Sequence, residues 1–234
     1  MSSFSDISKK IFPKLCVFCG REVVSENEFV CENCSRYLAH LQGSLCKTCG
    51  HAVHLCACSV PPNLSATRFV FWHSGIIKRY VGAMKEKKFC ELFDYGANRM
   101  YKLISDSEYY LSCEHITYVP RADKAFKHMG LDPAYELAIR ISNKTGIPLE
   151  NYLKSADKTY EQKELSTKER RQNVKGVFSM KKGAPTPYGK IILVDDVMTT
   201  GATAHECAKV LKKAGPCEVA GLFLSRTHCE ELIK

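Results

Sequence analysis

The sequence has no long hydrophobic run. No stretch of its 234 residues approaches the roughly 20 consecutive apolar residues of a membrane-spanning helix, so no membrane span is expected. Nor does an apolar segment follow a basic start. Met1 to Lys10 is polar and mixed in charge, which predicts no secretory leader and a cytoplasmic location. A reducing compartment gives no support to a disulfide framework, yet the chain carries 13 Cys, and metal binding is the use left for so many thiols. Acidic residues are also in short supply: 25 Asp and Glu against 34 Lys and Arg leave a net charge of +9. That excess fits nucleic acid, phosphorylated ligands or an anionic membrane surface and does not choose among them. The 45% of hydrophobic residues suffices for a core, and the length suits one medium domain plus a small one.

Eight of the 13 Cys precede residue 59. Cys16-x2-Cys19 and Cys31-x2-Cys34 have the spacing of a four-cysteine zinc site, two knuckles that each place two thiolates on one ion. Leu15-Cys16-x2-Cys19-Gly20 recurs as Leu45-Cys46-x2-Cys49-Gly50, followed by the tighter Cys56-Ala57-Cys58. A second tetrahedral site would use Cys46, Cys49, Cys56 and Cys58, or admit His51 or His54 in place of one Cys. The alternative is a degenerate repeat without metal, so one or two structural Zn²⁺ are expected. Residues 1–60 form this zinc-ribbon module, too short and apolar-poor to fold without metal. No open fourth ligand position marks a catalytic zinc. Cys90, Cys113, Cys207, Cys217 and Cys229 are isolated and read as ordinary thiols.

Pro61-Pro62-Asn63 marks the boundary to a second domain, 61–234. Thr67 to His73 alternates as a strand, and Ile77, Tyr80, Val81 and Met84 have helical spacing. Lys78, Arg79, Lys85, Lys87 and Lys88, on or just after that helix, read as a solvated basic face. A helix over Glu91–Ile104 follows, then a strand over Glu114–Pro120. That strand enters a loop with Arg121, Lys124, Lys127 and His128, cationic enough for a diphosphate. A helix spans about Asp132–Thr145. Residues 151–190 hold ten Lys and Arg against four acids. The basic part, about 151–176, predicts a flexible flap able to close over a ligand, with Lys168, Arg170 and Arg171 carrying positive charge to it. Tyr152 and Tyr160 are available there for stacking on bases.

The most informative stretch comes late. Ile191-Ile192-Leu193-Val194 is a strand buried on both faces, Asp195 and Asp196 end it, and Val197-Met198-Thr199-Thr200-Gly201-Ala202-Thr203 turns into a helix over Ala204–Ala214. Small residues at a helix N-terminus make an anion site, and paired carboxylates beside it suit vicinal hydroxyls. A ribose 5-phosphate offers both. Glu218 to Arg226 is a final core strand.

Asp195 to Thr203 resembles the phosphoribosyl-diphosphate (PRPP) motif of type I phosphoribosyltransferases. The order of paired Cys, core and PRPP loop resembles the ComF family of competence-associated proteins. Tyr118-Val119-Pro120 with its basic loop, and Glu164-Leu165-Ser166-x3-Arg170-Arg171-x-Asn173-Val174-Lys175-Gly176-Val177-Phe178, match further ComF segments. The chain departs from the family where Gly130-Leu131-Asp132-Pro133 replaces Gly-Phe-Asn-Gln, and in Thr199, where purine-salvage enzymes carry an acid. The resemblance implies an α/β fold: a type I phosphoribosyltransferase-like parallel sheet flanked by helices, preceded by the small four-cysteine zinc-ribbon module. It implies PRPP or ribose 5-phosphate as ligand, with Mg²⁺, and pyrophosphate held at Arg121, Ala122 and Asp123. It implies single-stranded DNA handling in natural transformation, with competence or helicase proteins as partners. The residues leave open an active transferase acting on a small nitrogenous acceptor and a non-catalytic nucleotide-sensing adaptor. No acceptor signature and no general base is legible in the sequence.

Overall fold

The structure, a computed structural model, describes residues 15–23, 29–39, 45–53, 56, 58, 60–86, 90–122, 130–156 and 174–227. Asp123, Lys124, Lys127, His128, His54, Tyr160, Lys168, Arg170, Arg171 and Cys229 lie outside these, as does most of the expected flap.

In chain order the described elements are α1 (Glu32–Ala39), β1 (Ala66–Trp72), α2 (Gly75–Glu86), α3 (Cys90–Ser105), α4 (Glu108–Leu111), β2 (His115–Tyr118), α5 (Pro133–Thr145), β3 (Leu153–Ser155), β4 (Phe178–Met180), β5 (Gly189–Met198), α6 (Ala202–Ala214) and β6 (Cys217–Arg226). The main sheet runs β1-β6-β5-β2, and every pair is parallel. β5 therefore lies inside the sheet, with Ile191 paired to His115 on one side and to Val219 on the other.

The continuous apolar run of β5 follows from this position. Ile192 and Val194 pack with Met100 and Ala97 of α3 and Leu137 and Ile141 of α5, whereas Ile191 and Leu193 pack with Cys207, Ala208 and Leu211 of α6. A strand covered on both faces has no use for alternation. The helical spacing of α2 buries Ile77, Tyr80, Val81 and Met84 as the sequence predicts. In α3, Gly96 permits a close approach to the sheet: a Cβ there would stand 2.8 Å from the Tyr80 hydroxyl and 3.2 Å from Leu224 Cδ1.

The structure adds to one expectation and corrects another. The zinc-ribbon module packs into the main core. Cys16, Phe18, Val23, Val30, Cys34 and Leu38 join the same core as Phe71 and Tyr80, and the Phe18 ring lies 4.9 Å from Tyr80 and 5.3 Å from Tyr95. The second Cys knuckle covers the edge of β1, where Thr67 N donates to Thr48 O at 2.8 Å and Thr67 Oγ1 to Cys49 O at 3.1 Å. That cover is why β1 is buried along most of its length although it ends the sheet. The flap is also narrower than its charge implies. Leu153–Ser155 pairs antiparallel with Phe178–Met180, and Tyr152 is fully buried, so Tyr152 cannot stack on a base. Charge density marked this segment as solvated, but Tyr152 and Leu153 insert into the α6 side of the core.

Candidate functional site

β5 runs past the two acids to Met198, because Val197 and Met198 still pair with Ser225 and Arg226. The acids thus stand within the C-terminal part of the strand, not after it. Asp196 is nearly buried and receives Lys85 Nζ from the last turn of α2 at 2.9 Å and Arg121 Nη2 at 3.5 Å. Burial alone would raise the Asp196 carboxyl; Lys85 and then Arg121 outweigh it and hold it below the usual carboxylate value. Asp195 goes the other way, pushed well above the usual value by burial and by the Asp196 charge. The pair thus shares its charge unequally, with Asp196 ionised and Asp195 resisting ionisation. Lys85 is not the solvated side chain its sequence context implied. Helical periodicity gives the face a lysine occupies but not the strand that face meets.

Beyond Met198 the chain bends through Thr199, Thr200 and Gly201 into α6. Gly201 is left-handed at φ 75°, and a Cβ there would lie 2.4 Å from Pro61 Cγ, so only glycine fits. Ala202 N approaches Thr200 Oγ1 at 3.4 Å, and Thr199, Thr200, Ala202 and Thr203 are all partly accessible. The turn is braced from the ribbon side, where His205 Nδ1 donates to the Pro62 carbonyl at 2.8 Å. N–H groups and hydroxyls at the start of a thirteen-residue helix, with no bulk over them, form a nest suited to a phosphate.

The loop after β2 begins beside this site. Of its expected diphosphate residues, Arg121 reaches Asp196, and Ala122 follows it into the part of the loop that is not described. Asp132 has a polar role. It caps α5 by accepting from Ala134 N at 3.1 Å and anchors the loop by accepting from Arg121 N at 3.0 Å. On the opposite side of β5, the residue after β1 is His73. Its Nδ1 lies 2.9 Å from Ser225 Oγ, and Ser225 Oγ donates to the Asp196 carbonyl at 3.3 Å. Lys85, His73 and Ser225 carried no motif in the sequence; the sheet order brings His73 and Ser225 beside Asp196, and the end of α2 brings Lys85.

The cysteines assemble as two four-sulfur groups, Cys16, Cys19, Cys31 and Cys34, and Cys46, Cys49, Cys56 and Cys58. Within each, all sulfurs lie within 4.8 Å of one another. Close pairs run from 3.1 Å (Cys56 and Cys58) to 3.7 Å (Cys46 and Cys58). A tetrahedral site with Zn–S bonds of about 2.3 Å has sulfurs roughly 3.8 Å apart, so both groups fit zinc. The repeat is reproduced in backbone detail: Gly20 N bonds Cys16 O and Gly50 N bonds Cys46 O, each glycine at φ 72°. For Cys16, burial raises the thiol but the backbone at Cys31, Phe18 and Cys19 outweighs it and brings it to about 7. For Cys46, the backbone at Cys49, the Cys56 side chain and the backbone at Thr48 bring it to about 6. Burial pushes the neighbouring thiols Cys19, Cys34 and Cys49 up, and the Cys56 side chain raises Cys58, so each group of close sulfurs favours one thiolate over its neighbours. His51 packs its ring against Phe69 and Trp72 and stands outside the second four-sulfur group.

Fold and site together define the class: a phosphoribosyltransferase-like parallel α/β domain carrying a zinc-ribbon module. Residues 7–62 match the double zinc ribbon domain family. The chain is 41% identical over 99 residues to Competence protein F of Haemophilus influenzae, covering 42% of this chain and 43% of that protein. It is 27% identical over 146 residues to orotate phosphoribosyltransferase of Pyrococcus abyssi, covering 60% of this chain and 80% of that enzyme. Among solved structures, adenine phosphoribosyltransferase of Leishmania tarentolae aligns with 74% of this chain and 94% of its own at 13% identity and a TM-score of 0.42. The alignment spans less than half the length of the Haemophilus protein. More particularly, the chain is ComF-like, joining a double zinc ribbon to a phosphoribosyltransferase-type fold. No described helix is long and apolar enough to cross a membrane.

Proposed function

We propose that this chain binds PRPP or ribose 5-phosphate across the C-terminal edge of β5. The observation that carries the reading is the convergence of Asp195 and Asp196, the Thr199–Thr203 nest and Arg121 at one strand end. The acids would take the ribose hydroxyls, the nest the 5-phosphate, and Arg121, Ala122 and Asp123 the diphosphate. Lys168, Arg170 and Arg171 would close over it from the flap. Mg²⁺, a hard cation that prefers oxygen ligands, would enter with the diphosphate and fit the carboxylate pair. Calorimetric titration with PRPP and Mg²⁺ tests this: saturable one-to-one binding is expected, and heats no larger than dilution would refute it.

The name of the Haemophilus relative and the +9 charge support a role in handling single-stranded DNA during natural transformation, with competence or helicase proteins as partners. Lys181 and Lys182 after β4, and Lys212 and Lys213 of α6, are exposed on elements that pack together and would bear the strand. Binding of oligo-dT is expected to weaken with salt at a log–log slope of about −0.7 per neutralised phosphate. A flat slope, or no binding at low salt, would remove the DNA role while leaving the nucleotide site intact.

A second reading, transfer of the phosphoribosyl group to a nitrogenous acceptor, is favoured by the match to most of the length of an orotate phosphoribosyltransferase.

A further inference from the structure

We infer that His73 takes the proton of a nitrogenous acceptor as that acceptor displaces diphosphate from a ribose held at Asp195 and Asp196. This rests on the transferase reading above. It starts from the sheet order. Displacement at C1 requires the entering nitrogen and the departing oxygen in line, on opposite sides of the carbon. Across β1-β6-β5-β2, Arg121 follows β2 on one side of the acid-bearing strand, and His73 follows β1 on the other. A diphosphate over Arg121 therefore directs the acceptor to approach above β6 and β1, where His73 stands.

The tautomer of His73 follows from its hydrogen bonds. Its main-chain N donates to Arg226 O at 2.7 Å, which fixes the residue to the sheet edge. Ser225, fully buried, gives its hydroxyl proton to the Asp196 carbonyl, so toward the imidazole it presents a lone pair. In the arrangement where Ser225 gives its proton to the Asp196 carbonyl, Nδ1 donates across the 2.9 Å contact and Nε2 is the basic nitrogen. A base oriented through its second nitrogen by a buried hydroxyl has the logic of an activated general base. The ring is partly exposed. Burial, then Lys78 and Lys85 of α2, holds the imidazole below its ordinary value, while Asp196 of β5 acts weakly the other way. His73 is thus neutral when the acceptor arrives.

In the step itself the acceptor nitrogen bonds C1, and the C1–O bond breaks with its electron pair leaving on diphosphate. The acceptor's proton passes to His73 Nε2. Lys85, displaced from Asp196 by the ligand's hydroxyls, and Arg121 remain to hold the leaving anion.

The test uses the full chain with PRPP and Mg²⁺, reading pyrophosphate release with ammonia, aniline, adenine and orotate as acceptor probes. Wild type is expected to turn over with at least one of them. H73Q is expected to lower kcat by about 100-fold, the lower end of general-base effects, with PRPP affinity unchanged by calorimetry. H73A is expected to lose activity likewise and to regain part of it with added imidazole. A purely structural His73 would move affinity or stability and would not respond to imidazole. Wild-type rates in both variants overturn the inference alone. No pyrophosphate release by wild type while PRPP stays bound overturns the transferase reading beneath it, and the inference with it, and leaves the binding site standing; absence of PRPP binding overturns the binding reading as well.

Discussion

Asp196→Asn is expected to cost PRPP about 100-fold in affinity, the scale set by losing one or two hydrogen bonds to a charged acceptor. Two effects oppose each other. The substitution removes the carboxylate that would accept from a ribose hydroxyl. It also frees Lys85 and Arg121, now 2.9 and 3.5 Å from Asp196, to attract a polyanion. The loss should win. A hydroxyl-to-carboxylate bond in a nearly buried site contributes in full, whereas Lys85 is one-third exposed and already within reach of an incoming diphosphate. Because Asp196 is held below the usual carboxylate value, it stays ionised above the ordinary carboxyl range, so its contribution in wild type is fully present at neutral pH. Calorimetry of D196N against wild type reads it. Tighter PRPP binding by D196N would show that Asp196 merely restrains the two cations, and would sink its assignment as a ribose ligand.

Cys34→Ser is expected to lower the melting temperature of the whole chain by more than about 15 °C while removing one equivalent of zinc. The magnitude follows from where the first ribbon packs. Phe18, Val23, Val30 and Leu38 are buried in the main core, and exposing them costs about 1.5–3 kcal/mol each. Their sum is comparable to the total stability of an ordinary domain, about 5–15 kcal/mol. Release of the metal would therefore unfold more than a module. Cys58→Ser offers the contrast: that sulfur is exposed at the outer corner of the second group, and its loss should disturb the knuckle with a smaller shift. Metal content by emission spectrometry, beside thermal melts, checks both. A C34S protein short of that one equivalent of zinc but melting like wild type would show that ribbon and core are independent.

The elements whose signal is local were legible from the chain. The two Cys-x2-Cys knuckles place four sulfurs together through a few bonds and a glycine turn, and the second repeat follows the first even with its shortened Cys56-x-Cys58 half. The Ile191–Val194 run, the acids and the small-residue turn lie within 13 residues, so strand, site and helix could be read in order. The helical spacing in α2 and α5 depends on one period and was visible for the same reason.

Other features needed distant parts of the chain. Lys85 reads as one of several surface lysines until the end of α2 is seen to reach Asp196. His73 reads as a strand terminus until β1 pairs with β6 and brings Ser225 to its Nδ1. Tyr152 read as part of a charged flap because its neighbours are polar, and its burial depends on the pairing of β3 with β4, about 25 residues on. The ribbons read as a separate module because cysteine spacing describes the metal site and says nothing of what its outer face touches.

By itself, then, the sequence determined the first four-cysteine site, the parallel α/β class and the acid-and-threonine turn, because bonded neighbours carry those patterns, and the structure added the second four-sulfur group. Only the tertiary structure decided that Asp196 is clamped by Lys85 and Arg121, that Pro61 and Pro62 brace the turn after β5, and that His73, bonded to Ser225, stands at the end of β1 across the sheet from Arg121. These depend on strand order, and strand order is set by which buried faces fit one another across the whole chain rather than by any local run of residues.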